Sequence, residues 1–290
     1  MTDCWADWIR TRRTGGDAEF ETRTLELVAG FRDRVLDNAG LATGETLLDV
    51  GCGNGLIGLG ALERGAGDVV FVDISRALLD DCRRLTEEAG LLDRCRFVEA
   101  AAEDLSPVAD ESVDVVTTRS VLIYVDDKAR AFGEFHRVLR PGGRVSIFEP
   151  INSFTYPEPP HLFGGSDVTA VTDLAEKVKA IYESRQPPDE CPMLDFDERD
   201  LFDLAERAGF EDVHLSYEAQ TIPGNLRDHT RDWETALRSA PNPLAPTLGE
   251  AMAEALTPDE AERFAAHLRP LVESGRRRSR DAVAYLWTVR

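Results

Sequence analysis

Between residues 46 and 150, short apolar runs alternate with longer stretches in which apolar side chains recur every three or four positions. The runs at 47–50, 69–73, 96–99, 113–118 and 144–149 are too short for helices and read as buried strands. The stretches at 56–64, 76–89 and 127–139 read as amphipathic helices. This alternation predicts a parallel sheet with helices on both faces. Pro141-Gly142-Gly143 is expected to end the last of these helices and turn the chain into its strand. In such sheets ligands bind at the carboxyl ends of the strands, where the strand order reverses, so the site residues are expected there.

Outside this stretch the pattern changes. Residues 20–38 place Leu25, Val28, Phe31, Val35 and Leu36 on one helical stripe, which predicts a helix packed on the sheet or over the ligand. Before it, Trp5, Trp8 and Ile9 are expected to bury against the main domain, with a turn at Gly15-Gly16. After Pro150 the chain is polar and proline-rich to about 195, with one helix at 167–184. A helix at 197–208 stopped by Gly209, a strand at 210–220 and a final strand at 282–289 bring the expected strands to seven. The intervening 221–279 reads as helices broken at Pro241, Pro243, Pro246 and Pro258. The expected organisation is thus an N-terminal helical segment or lid (1–45), a core (46–150), a cap insertion (151–195), a core helix and strand (196–220), a second, helical cap insertion (221–279) and a last core strand (280–290).

The first strand and helix are joined by Thr46-Leu-Leu-Asp-Val-Gly-Cys-Gly-Asn-Gly-Leu-Ile-Gly58. Glycines at 51, 53 and 55 allow a tight turn and let a ligand approach bare backbone, with loop amides and a helix N-terminus facing it. Gly53-Asn54-Gly55-Leu56-Ile57-Gly58 also fits the dinucleotide pattern GxGxxG, and Asp73 follows at the spacing of a ribose-binding acid. The same acid is equally placed to cap the next helix. What sets the stretch apart is Asp49 inside the strand, which gives DxGxGxG. Asp49 either orders the loop by accepting backbone hydrogen bonds or approaches a cofactor's amino group.

With LLDVGCGNG at 47–55, VVFVDIS at 69–75, ESVDVVTTRSVLIYV at 111–125 and RVLRPGGRVSIFEP at 137–150, the chain resembles the class I S-adenosylmethionine (SAM) dependent methyltransferases. It is most similar to small-molecule enzymes of the ubiquinone-biosynthesis type. The resemblance implies an α/β fold: a doubly wound, mostly parallel, Rossmann-like seven-stranded sheet with an antiparallel last hairpin and helical cap insertions. It implies SAM as cofactor and S-adenosylhomocysteine as product, held by Asp49, Gly51, Cys52, Gly53, Asn54, Gly55, Asp73 and Ile74. Thr118, Arg119 and Ser120 would offer carbonyls to the methionyl ammonium, and residues 122–125 would face the methyl group. Relatives carry an acid beside the adenine where this chain has Ala101, so Glu103, Asp104 or amides near Ala102 would read that ring, or the two acids form only a capping turn. Arg12 or Arg13 would reach the cofactor's carboxylate, or would lie on an exposed helix.

Methyl transfer from a sulfonium is an in-line displacement, and positioning and desolvation can supply much of the rate. A general base would be added for a hydroxyl, amine or carbon acid. Glu149 at a strand end and His161 in the cap are the candidates, with Tyr124 positioning the acceptor or packing in the core. Phe154, Tyr156, Phe163, Trp233 and Leu237 point to a moderately apolar small-molecule acceptor, such as a natural product.

The formal charge of −21 disfavours nucleic acid as a partner, since it would repel phosphates. The one dense basic run, 276–280, reads as a solvated or carboxylate-paired face. No run of eighteen apolar residues and no N-terminal apolar segment occurs, so no membrane anchor is expected and the protein is placed in the cytoplasm. Five cysteines without CxxC spacing predict neither a disulfide framework nor a metal site. Two other readings stay open at this level: an NAD-dependent oxidoreductase using the overlapping GxGxxG, and a non-catalytic SAM-binding module.

Overall fold

The computed structural model describes residues 3–223 and 230–290. Its strands are β1 (Thr46–Val50), β2 (Asp68–Asp73), β3 (Cys95–Glu99), β4 (Val113–Arg119), β5 (Leu139–Pro150), β6 (Leu162–Phe163), β7 (Ser166–Asp167), β8 (Glu211–Pro223) and β9 (Arg278–Val289). Its α-helices are α1 (Cys4–Asp7), α2 (Ala18–Asn38), α3 (Leu56–Glu63), α4 (Arg76–Glu88), α5 (Lys128–Val138), α6 (Thr172–Arg185), α7 (Glu198–Arg207), α8 (Trp233–Arg238), α9 (Leu248–Ala255) and α10 (Pro258–Ser274). The chain forms two compact units.

One unit comprises Val28–Ile151, Pro192–Glu218 and Ala282–Arg290. It is built on a seven-stranded sheet of order β3-β2-β1-β4-β5-β9-β8. The β1–β2, β1–β4, β2–β3 and β4–β5 pairs are parallel, while β9 runs antiparallel to β5. The order reverses between β1 and β4, which creates the crevice at their carboxyl ends. Side chains alternate across the sheet. Leu48, Val50, Val72 and Ile147 pack with Phe132 and Phe135 of α5 and Leu201 of α7. Leu47, Phe71, Val115 and Phe148 pack on the opposite face with Leu36 of α2, Ile57 of α3 and Leu79 of α4. The parallel sheet predicted from the pattern and the antiparallel last hairpin implied by the resemblance are both observed, in one seven-stranded sheet.

Two local expectations are corrected here. Pro141-Gly142-Gly143 does not precede β5 but lies within it: Leu139 pairs with Val113, and the register then shifts before Val115 meets Arg144. The irregularity accommodates a proline and a Gly142 with φ of +79°, whose amide donates to the Arg290 carbonyl at 2.9 Å. On α2, Leu25 is 45% exposed although it lies on the predicted apolar stripe. Only the later part of that helix joins the sheet core, where Phe31 stacks on Phe148 with ring centroids 4.5 Å apart.

The other unit comprises Met1–Leu27, Asn152–Cys191 and Ala219–Asp281. It has a core of its own, in which Leu174 and Val178 of α6, Trp233 of α8, Met252 of α9 and Phe264 and Leu268 of α10 are buried together. The N-terminal segment belongs to this unit. Trp8 Nε1 donates to the Ala240 carbonyl at 2.9 Å, and the Ala240 amide donates to Arg12 O at 2.8 Å. Gly15, with φ of +58°, lies against α8 so closely that a β-carbon would sit 2.6 Å from Thr235 O. Trp8 is therefore anchored on the segment after α8. Local sequence cannot register a contact made across more than 200 residues.

Candidate active site

The glycine turn is held from below by two carboxylates. Asp49, on β1, is 2% exposed. Its Oδ2 accepts from the Gly58 amide in the first turn of α3 at 2.9 Å, and its Oδ1 from Thr117 Oγ1 of β4 at 3.4 Å. Of the two roles open in the sequence, this geometry is the loop-ordering one. Burial pushes the carboxyl up to about 7, against the Gly58 hydrogen bond, which favours the charged form. Thr117 was not singled out from the sequence, though its signal is a polar residue inside an apolar strand, in register with Asp49.

Gly51 has φ of +65°, and a β-carbon there would lie 2.3 Å from Val121 Cγ2. The turn can take no side chain at that point. The Cys52 amide donates to Val72 O at 2.9 Å, and its buried thiol lies 3.9 Å from that of Cys82 and 3.8 Å from Gly53 O. Burial pushes the Cys52 thiol up, so it is a neutral packing group. Gly55, with φ of +85°, is the N-cap of α3, and Asn54 is part-exposed on the turn before it.

Asp73 ends β2 at 7% exposure. Its Oδ2 accepts from the Gly53 amide at 2.8 Å and its Oδ1 from the Ser75 amide at 2.8 Å. The helix cap itself is Ser75, whose hydroxyl accepts from Leu78 N at 3.1 Å. The alternative assignment of Asp73 as the cap of α4 is thereby replaced, and its carboxylate instead ties the β2 end to the glycine turn. Ile74, next in the chain, is 50% exposed and offers an apolar surface beside it. After β3, Ala102 is buried, Glu103 part-exposed and Asp104 exposed. The Ser106 hydroxyl, with the Ser106 amide that donates to Asp104 at 3.3 Å, holds the Asp104 carboxyl below the usual range. That is the turn-forming arrangement weighed for this acid.

At the end of β4, Ser120 is a non-glycine residue with φ of +56°, held by its amide donating to Phe148 O at 2.9 Å. Arg119 precedes it, and its charge lowers the pKa of both Asp49 and Glu149. Glu149 is fully buried at the end of β5. Its Oε1 accepts from the amides of Val121 (2.9 Å) and Leu122 (3.0 Å), and its Oε2 from Ile123 (3.3 Å). Burial raises this carboxyl to about 7. The expected role as general base is corrected: a group sealed from solvent with both oxygens on backbone amides does not meet an acceptor. The link spans 26 to 28 residues, so no local signal announces it. Tyr124 packs part-buried against the sheet core, the structural alternative weighed for it.

Other candidates lie in the second unit. His161 is exposed just before the β6–β7 hairpin, where its carbonyl accepts from the Val168 amide at 2.8 Å. Arg13 lies over the Trp8 ring, 5.5 Å from its centroid, and Arg12 pairs with Glu250 at 2.5 Å. Of the aromatic and aliphatic residues expected to line an acceptor pocket, three are core instead. Trp233 is buried, Leu237 packs on the same core, and Phe163 meets Phe264 edge to face at 5.6 Å. Phe154 and Tyr156 are exposed, at 41% and 37%.

Comparison with known proteins identifies this arrangement. The profile of the methyltransferase domain family matches residues 48–147. The ubiquinone/menaquinone biosynthesis C-methyltransferase UbiE of Acidiphilium cryptum is 34% identical over 168 residues, covering 58% of this chain and 67% of the relative. The chain belongs to the class I SAM-dependent methyltransferase family. Another relative in this range is the S-adenosyl-L-methionine-dependent Diels-Alderase iliD of Neonectria sp., 31% identical over 202 residues, or 69% of this chain and 70% of that one. Several further curated relatives are matched over less than half of their own length. Among solved structures, the geranyl diphosphate C-methyltransferase of Streptomyces coelicolor shares the fold with a TM-score of 0.55 at 17% identity, over 97% of this chain and 83% of that one. In this methyltransferase-family chain the DxGxGxG turn and Asp73 thus belong to one hydrogen-bonded assembly at the carboxyl ends of β1 and β2. Among the described residues no helix is long and apolar enough to cross a membrane.

Proposed function

We propose that the protein transfers the methyl group of SAM to a small-molecule acceptor. The observation that carries this reading is the Asp73 carboxylate, which accepts from Gly53 N within the bare-backbone turn. Each carboxylate oxygen has a second lone pair, so Asp73 can hold a ribose diol while it braces the turn. The half-exposed Ile74 gives a flat ring an apolar surface next to that sugar site. The residues present therefore fit an adenosyl group, and the family resemblance assigns the ammonium to the carbonyls at the end of β4, residues 118–120. When bound, SAM supplies an electrophilic methyl on a sulfonium that leaves as a neutral thioether.

Catalysis then rests on alignment and exclusion of water, with no triad required of the protein. Asp49 braces the backbone on which the donor is aligned. The NAD reading loses its support, since the glycine pattern here belongs to the methyltransferase family. Calorimetry with SAM, S-adenosylhomocysteine and NADH tests the cofactor, and methyl-labelled SAM with panels of phenol, amine and carbon-acid acceptors tests transfer. NADH binding without SAM binding refutes the proposal.

A second reading is favoured by the breadth of the iliD match, which extends well beyond the 48–147 domain. In it SAM is retained and an unsaturated substrate is cyclised. Product of unchanged mass, formed without loss of SAM, distinguishes it from methyl transfer.

A further inference from the structure

The buried carboxylate at the end of β5 does not touch the reacting atoms, yet its surroundings are specific. It caps the single 3₁₀ turn Leu122–Tyr124 from a neighbouring strand, satisfying three amides that have no partner inside so short a turn. The first of these belongs to Val121, whose side chain fills the space a β-carbon on Gly51 would need. Between β4 and this turn stands Ser120 in the left-handed region, a conformation that persists only where the surroundings over-determine it. The chain of contacts thus runs from Glu149 through the 121–123 backbone to the glycine turn.

We propose that Glu149 is a positioning residue that fixes the 121–123 backbone against Gly51 and thereby sets the affinity of the glycine turn for SAM. This rests on the cofactor reading above. Without the carboxylate, the three amides would seek other acceptors, the left-handed Ser120 would relax, and Val121 would no longer hold the turn in its binding shape. Glutamine keeps the volume and one acceptor oxygen for Val121 and Leu122, but turns a donor toward the Ile123 amide. Methionine removes every acceptor.

The test uses the full chain with S-adenosylhomocysteine as probe, so that no acceptor need be known. For Glu149→Gln the dissociation constant is expected to rise about tenfold, and for Glu149→Met about a hundredfold, the range set by losing hydrogen bonds to a charged group. Amide exchange should accelerate at Val121, Leu122 and Ile123 while the amides of β1 and β2 keep their protection. If Glu149→Met fails to fold, Glu149→Gln carries both measurements. A folded Glu149→Gln that binds as tightly as wild type overturns the proposal. So does exchange that accelerates uniformly over the sheet, with affinity lost only in proportion to the unfolded fraction. Wild type that binds no S-adenosylhomocysteine overturns the proposal together with the cofactor reading, and is told apart from failure of the clamp alone, in which wild type and variant bind alike.

Discussion

Substituting Gly58 by alanine tests whether the last glycine of the turn serves helix packing or ligand approach. Its backbone is not left-handed, so the effect of a methyl group is purely one of space. A β-carbon there would lie 2.3 Å from Cε1, 2.8 Å from Cζ and 3.0 Å from Cδ1 of Phe71. Ordinary contact is about 3.5–4 Å, so the ring or the helix must move by more than an ångström. Phe71 is fully buried and stacked on Phe97 at 5.3 Å between ring centroids, which leaves it little room. Overpacking of this kind costs about 1–3 kcal/mol, here toward the upper end, and the better helix propensity of alanine returns about 0.5–1. The net loss is therefore about 2 kcal/mol, read as a shift in the urea midpoint of the ligand-free protein. In a Phe71→Leu background the ring is gone and the same substitution should become neutral or stabilising. Affinity for S-adenosylhomocysteine, corrected for folding, should stay within about threefold, because the Gly58 amide still donates to Asp49. An equal loss in both backgrounds would refute the packing argument.

Asp73→Ala should weaken SAM binding by about 1.5–3 kcal/mol, since a charged acceptor is lost; a calorimetric dissociation constant equal to that of wild type would leave Asp73 a turn brace only. Asp49 links stability to pH with a defined sign. Its folded pKa, about 7, lies above the ordinary value of 3.8, so between these limits the folded state holds a proton that the unfolded chain has released, and stability from this group falls as pH rises. Asp49→Asn keeps an acceptor for Gly58 and a donor for Thr117, so its stability relative to wild type should rise from pH 4 to 7, by at most about 1.4 kcal/mol per pH unit, and level off above 7; a difference independent of pH in urea titrations would contradict this. Lys128, 6% exposed, donates to Val125 O, Pro192 O and Asp195 at 2.9, 3.1 and 2.6 Å. Lys128→Met leaves two carbonyls without that donor and should cost about 2–3 kcal/mol in thermal or urea unfolding; a change under about 0.5 would show that water replaces it.

The local elements were legible because their physics is local. Short continuous apolar runs and period-3.6 patterns placed β1 to β4 and α3 to α5 within a residue or two, since a strand buried on both faces is apolar throughout and a helix buried on one face repeats its apolar positions every three or four residues. The glycine turn could be read for the same reason: Gly51 and Gly55 carry positive φ angles that few other residues adopt. Asp73 was identified by its spacing from that turn. The start of β5 was not legible, because its irregularity depends on pairing with Val113 and Arg290.

What tertiary structure alone decided is what each side chain faces. Asp49 and Glu149 both sit at or near strand ends, the first expected to order the loop or meet the cofactor's amino group and the second to act as a general base. The alternation of the sheet sends Asp49 toward the start of α3 and Glu149 toward the turn after β4, where each spends its oxygens on backbone amides. Trp233 and Phe163 looked like pocket lining, but discontinuous segments brought together a core that claims them. The sequence determines which residues prefer burial or can cap, turn or ionise. Which amide, ring or ligand each one meets depends on contacts between distant segments, and only the assembled chain creates those.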